Sequence, residues 1–307
     1  MGYDLKIMNE DGYVNTDALL ADISAISDTL SGNVSVLQNI LHALGSDVPP
    51  PIKKTEHDTG AIISVQDVIN ACSVERNKVR LPQIPLNKSV YAGVKKHLIN
   101  GGGSWVGGKT QAFVFPFNPE RVMSELKTGH YVNLQQDYQF FETPDDLADR
   151  IVALSSVKES DNILEPSAGR GAIIRAIHRV CPTLFVECFE LMPENREILL
   201  KLTGVDLIGF DFIKEHKVKK YDKIIANPPF SNNQDMDHVR LMYDCLAEGG
   251  RLVSITGLSH AFREDRKAAA FREWLTLVKA KEFPIEKGAF KDNGTAIVSN
   301  ILVIDKP

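Results

Sequence analysis

The residues Asn227-Pro228-Pro229-Phe230 close an apolar stretch at 224–226 that reads as a buried strand. Proline cannot donate to a strand ladder, so the strand must stop there. Each proline fixes its own φ near about −65° and restricts the residue before it, which holds Asn227 extended. Pro229 offers no N–H to the Pro228 carbonyl. Asn227 and Pro228 therefore present two aimed acceptors, an amide oxygen and a peptide oxygen, beside the aromatic face of Phe230. That set suits a planar amino group conjugated to a ring. Engaging both of its hydrogens favours an sp3-like nitrogen with a free lone pair, poised for direct attack on a methyl group placed in line. Each pre-aimed dipole is worth roughly 3 kcal/mol where charge develops. Asn227 is neutral, so the proton leaves to water rather than to a strong base. Asn227, Pro228, Pro229 and Phe230 are the candidate catalytic residues.

A second constellation lies upstream. Residues 163–174, ILEPSAGRGAII, read as strand, glycine turn and helix start. Gly169 and Gly171 allow close approach of backbone to a ligand. This is not a dinucleotide fingerprint, because Ile174 stands at the third glycine position, and no Lys-Ser/Thr follows for a phosphate cradle. The next two strand ends carry Glu190, an acceptor for ribose hydroxyls, and Asp211-Phe212, an acceptor for an exocyclic amine beside an aromatic for a purine. Three strand ends thus describe an adenosine without phosphates, on the rim where open parallel sheets bind ligands.

Strands and helices alternate from about residue 140, so an α/β fold with a mostly parallel, doubly covered sheet must position these groups. One helix is expected from Arg263 to Trp274. Upstream, 14–44 reads as two short helices and VPPPIKK as a stiff linker. In 61–130, Ser64 caps a helix to about Ser73, and a helix over 90–100 carries Lys95 and Lys96. SWVGGKTQAFVF reads as a hairpin with Trp105, Phe113 and Phe115 on strands and Lys109 beside the Gly107-Gly108 turn. The expected organisation is a helical segment 1–47, a proline-rich linker 48–60, a small basic α+β accessory domain 61–135 and a catalytic domain 136–307.

The 307 residues are 43% hydrophobic and 24% charged, as in soluble globular chains. No stretch matches a membrane span or signal peptide, and the four cysteines lack metal-ligand spacing, so a cytoplasmic protein with buried thiols and no metal is expected. The net charge is −5, yet residues 61–130 hold nine basic against four acidic side chains. That local excess points to an anionic partner.

LEPSAGRG at 164–171 together with NPPF at 227–230 resembles the class I S-adenosylmethionine-dependent amino-methyltransferases. Within them the likeness is to the DNA adenine-N6 methyltransferases of gamma order, and FFETPDDLADRIV at 140–152 resembles their leading motif. The resemblance implies a Rossmann-like fold with seven strands, the last antiparallel, and S-adenosyl-L-methionine as cofactor. Thr143 and Pro144 would lie near the methionine end. Glu165 and the 166–171 loop, with Pro166, Ser167, Ala168, Gly169 and Gly171 foremost, would hold the methionine and sulfonium. Glu190, with Leu191 beside it, would take the ribose, Asp211 and Phe212 the adenine, and Asn227 would also border the cofactor. Asn227 and Pro228 would grip the target amine, Phe230 would stack on the extruded base, and Phe290 in GAFKDNGT would offer a second stacking face.

The implied reaction is methylation of adenine N6 in DNA after base flipping. Family members usually carry a recognition domain after the catalytic one, so here the reader of DNA is expected upstream or in another subunit. Lys95, Lys96, Lys109, Arg263, Arg266, Lys267 and Arg272 are the expected phosphate contacts. The basic segment is similar to accessory segments of phage- or plasmid-borne methyltransferases, which implies a mobile-element enzyme related to restriction-modification systems. Residues 1–47 are candidates for self-association or a protein partner. RNA base methylation and protein glutamine methylation are the alternatives, and EPSAGRG favours DNA over both. Intact Asn227 and Phe230 argue against a non-catalytic cofactor-binding protein.

Overall fold

The computed structural model describes residues 63–217, 219–286, 289 and 298–307. The expected helices within 14–44, the linker 48–60 and Phe290 lie outside them. Residues 62–307 form one compact unit.

The first part of that unit is an antiparallel sheet covered by helices. Ser64 caps the helix Val65–Ala71: its hydroxyl accepts from the Asp67 amide, and the Asp67 carboxylate accepts in return from the Ser64 amide. Asn87 caps Lys88–Asn100, which buries Val90, Val94 and Leu98 and leaves Lys95 and Lys96 exposed. Strands β1 (Ser73–Glu75), β2 (Lys78–Arg80), β3 (Ser104–Val106) and β4 (Ala112–Val114) run in the order β1-β2-β4-β3. The β3–β4 hairpin was expected. The β1–β2 hairpin was not, because three-residue strands rich in charge carry no alternating pattern. Phe113, Phe115 and Phe117 are fully buried here, each such side chain contributing roughly 1.5–3 kcal/mol. Met192 and Ile198, from the start and end of the helix Pro193–Leu199, join the same apolar cluster. The Arg121 guanidinium reaches across to the buried Glu194 carboxylate at 2.5 Å.

The second part is a seven-stranded sheet. Its strands are β5 (Ile163–Glu165), β6 (Val186–Phe189), β7 (Val205–Gly209), β8 (Tyr221–Ala226), β9 (Leu246–Gly257), β10 (Lys281–Pro284) and β11 (Ser299–Asp305). They lie in the order β10-β11-β9-β8-β5-β6-β7. β11 is antiparallel to both neighbours, and the pairings among β5 to β9 are parallel. This is the expected Rossmann-like class I methyltransferase fold. Helices Asp145–Ser155 and Ala172–Val180 contribute to one core layer, and Gln234–Asp244 and Arg266–Leu277 to the other. The four cysteines are free and buried. No helix among the described residues is long and apolar enough to cross a membrane.

Two sequence expectations need correction. β10 completes the seven strands, but Lys281-Glu282-Phe283-Pro284 was not read as one. The helix expected from Arg263 begins at Arg266, because the Asp265 side chain accepts from the Ala268 amide and sets the N-terminus there. Arg263 instead follows a short helix, Ser259–Phe262.

Candidate functional site

β5 and β8 are neighbours, so the glycine loop and the NPPF loop emerge side by side. Between them lies a cleft of about 330 Å³. Its walls include Thr143, the loop 165–170, Glu190, Leu191, Asp211, Phe212 and Asn227, Pro228, Pro229 and Phe230. Most of the residues expected to bind ligand are thus brought to one place. Pro144 and Gly171 are not in the wall. Pro144 starts the helix Asp145–Ser155, and Gly171 is the N-cap of Ala172–Val180 at φ +79°.

The glycine loop is shaped by what a side chain would strike. Gly169 has φ +55°, and a Cβ there would meet the Phe140 ring at 2.8 Å. The Gly169 amide donates to Glu190 Oε2 at 2.7 Å, and the Met192 amide donates to Glu190 Oε1 at 2.7 Å. Glu190 therefore braces the loop as well as facing the cleft. Burial pushes its carboxyl up to about 7, against the lowering effect of those bonds. Glu165 is fully buried, and its Oε2 has no partner among the described residues. Burial, then the nearby Glu190 charge, pushes Glu165 well above the ordinary carboxylate range. Two desolvated carboxyls at one wall favour a ligand that brings positive charge and hydroxyl donors.

At the other end, Asp211 caps its short helix through the Ile213 amide and pairs with Lys214 at 2.8 Å, so its carboxyl lies low. Phe212 is 2% exposed and packs edge-on to Phe189 and tilted against His238. Nearly all of the ring expected to stack on adenine is committed to the core. His238 also lines the cleft, and burial pulls it down to about 4, leaving it neutral.

At the target side, Asn227 Nδ2 donates to Thr143 Oγ1 at 3.0 Å and to the Phe141 carbonyl at 3.5 Å. No described residue donates to Asn227 Oδ1 or to the Pro228 carbonyl. Phe230 is half-buried, and a Cβ on Gly257 would lie 3.8 Å from it. Ser231 Oγ donates to Gln139 Oε1.

The expected DNA contacts stand apart from the cleft wall. Lys95, Lys96, Lys109 and Arg266 are exposed and make no ion pair among the described residues. Arg263 pairs with Asp265 at 2.5 Å. Lys267 binds Asp237 at 2.6 Å and the Asn233 carbonyl at 2.8 Å. Arg272 donates to the His260 and Arg263 carbonyls. The last three are thus engaged inside the molecule.

Sequence reasoning missed Phe140, Phe141 and His238 as cleft residues. Phe140 and Phe141 lie inside the quoted FFETP motif and were within reach. Arg170, inside the expected 166–171 loop, stacks over Phe140 at 5.0 Å. His238 gave no local signal.

Strand order and cleft together define a class I methyltransferase fold. No protein-family model matches the chain. Over 96 residues it is 30% identical to the type II methyltransferase M.CvrRI of Paramecium bursaria Chlorella virus XZ-6E, a match covering 31% of this chain. The match spans only a quarter, 25%, of that relative's length. Among solved structures, the type I restriction-modification methyltransferase subunit from Streptococcus thermophilus aligns with 60% of this chain and 48% of its own, at TM-score 0.44 and 14% identity. A dimethyladenosine transferase from Plasmodium falciparum aligns with 55% of this chain and 63% of its own, at TM-score 0.43 and 15% identity.

Proposed function

We propose that the chain is a methyltransferase that uses S-adenosyl-L-methionine to methylate the exocyclic N6 of adenine in DNA. One observation carries the reading: two acceptors that no described residue engages, Asn227 Oδ1 and the Pro228 carbonyl, share a cleft with a glycine loop backed by desolvated carboxyls. The cleft suits the donor, because the unpartnered Glu165 oxygen and the raised Glu190 carboxyl favour a cationic ligand bearing ribose hydroxyls. Glu165 and loop residues 166–169 hold the methionine end, Glu190 the ribose and Asp211 the adenine amine. When bound, the donor supplies a methyl group activated by a sulfonium.

The chain's own part is orientation. Asn227 Oδ1 and the Pro228 carbonyl take the two hydrogens of the target amine and leave its lone pair free. Phe230 stacks on the flipped base, worth about 1–3 kcal/mol against the cost of extrusion. The exposed Lys95, Lys96, Lys109 and Arg266 contact phosphate and set affinity rather than sequence. In full-length protein supplied with tritiated donor, label is expected on adenine N6 of duplex DNA. Label confined to tRNA, rRNA or protein glutamine would overturn the DNA reading.

A further inference from the structure

We infer that Thr143 is a positioning residue for methyl transfer, acting through Asn227 rather than on the donor; this rests on the proposed role of Asn227. An amide side chain is nearly symmetric in shape, so packing alone does not choose which end faces a cleft. If Asn227 turned over, its NH2 would face the target amine, donor against donor, and no activation could follow. Two contacts decide the matter. The Phe141 carbonyl, 3.5 Å from Nδ2, can only accept, so the NH2 end must point toward it. Thr143 Oγ1 takes the other hydrogen at the shorter distance of 3.0 Å. Both amide hydrogens are then engaged on the wall side, and Oδ1 is left toward the cleft.

The chain around Thr143 is arranged to hold it there. Pro144 restricts the backbone of the residue before it to extended forms, and it starts the helix Asp145–Ser155. Thr143 is 8% exposed, which shields its hydroxyl from competing water. The same strap ties the far end of the NPPF loop, where Ser231 Oγ donates to Gln139 Oε1. Residues 139–143 thus grip the loop at both ends, and Thr143 supplies the contact closest to the chemistry.

The test compares Thr143→Val and Thr143→Ser in the full chain. Valine keeps the shape and removes the hydroxyl, and serine restores the hydroxyl. With duplex DNA under single-turnover conditions, the valine variant is expected to lose roughly tenfold to a hundredfold in rate. Its donor Kd should stay within about twofold, and serine should recover most of the rate. In Asn227→Ala, adding Thr143→Val should cost nothing more, because the group it orients has gone. An unchanged rate in the valine variant, a loss of donor affinity matching the loss of rate, or additive losses would each overturn the inference. The amide 15N–1H signals of the Asn227 side chain give a readout that needs no methyl acceptor. They should be shielded from exchange in the wild type and exposed in the valine variant, and equal exchange in both would also overturn it. A wild type that labels only RNA or protein sinks the DNA reading and leaves the exchange comparison standing.

Discussion

The two walls of the cleft solve opposite problems. On the glycine-loop wall two backbone amides are satisfied before any ligand arrives: those of Gly169 and Met192 are already bound by Glu190. On the NPPF wall the donors are satisfied, and no described residue donates to the acceptors. Asn227 spends its NH2 on Thr143 and Phe141, and proline geometry leaves the Pro228 carbonyl without a neighbouring N–H. A binding wall gains from rigidity. A reacting wall gains from acceptors held without partners until the substrate comes, since their interactions are then made only when they lower the barrier.

Breaking the reacting wall should have the largest effect. Asn227→Ala is expected to lower the methylation rate by roughly a hundredfold to a thousandfold, with donor Kd nearly unchanged; equilibrium binding beside single-turnover rates checks this. Breaking the binding wall should reverse the pattern. Gly169→Ala places a Cβ 2.8 Å from the Phe140 ring at φ +55°, so donor affinity should fall about tenfold, in line with roughly 1–3 kcal/mol of strain. Calorimetry measures it directly.

A change of pH sharpens the contrast. The Glu190 carboxyl sits at about 7, above its ordinary 4.5. Donor affinity should therefore weaken as pH falls through about 7, by up to about tenfold per unit, and Glu190→Gln should flatten that profile. Stability of the ligand-free protein should run the other way. The folded chain keeps this proton where the unfolded chain has lost it, so stability drops as pH rises from 4.5 to about 7. Urea titrations across that window test the sign. The smallest effect is expected away from both walls. Lys95→Ala with Lys96→Ala should weaken DNA binding severalfold and reduce the salt slope by about two, with chemistry intact.

The parts of the fold that were legible in the sequence share a cause. The NPPF and glycine loops announce themselves because proline and glycine restrict or free the backbone locally. The Ser64 cap reads out because Asp67 lies three residues on. β10 was illegible: Lys281 and Glu282 are exposed, so nothing marks it as a strand until β11 pairs with it. The start of the helix at Arg266 could have been read from Asp265, a capping residue three positions before Ala268. Within the site, the role of Glu190 was half visible. A carboxylate at a strand end signals a ligand acceptor, whereas its grip on the Gly169 amide is made across 21 residues of sequence. The packing of Phe212 against His238 depends on two distant segments meeting, which no local pattern records.

The seam between the two sheets has a practical consequence. Met192 is buried in the apolar cluster of the upstream sheet and its helices, and the Glu194 carboxylate is anchored by Arg121. Trimming the protein to begin at residue 136 would bare the first and leave the second as a buried carboxylate without its cation, which is destabilising. Because Met192 lies two positions past Glu190 and its amide donates to the Glu190 carboxylate, the damage would land on the Glu190 side of the cleft. A fragment that lacks the upstream sheet should therefore be collected from the insoluble fraction.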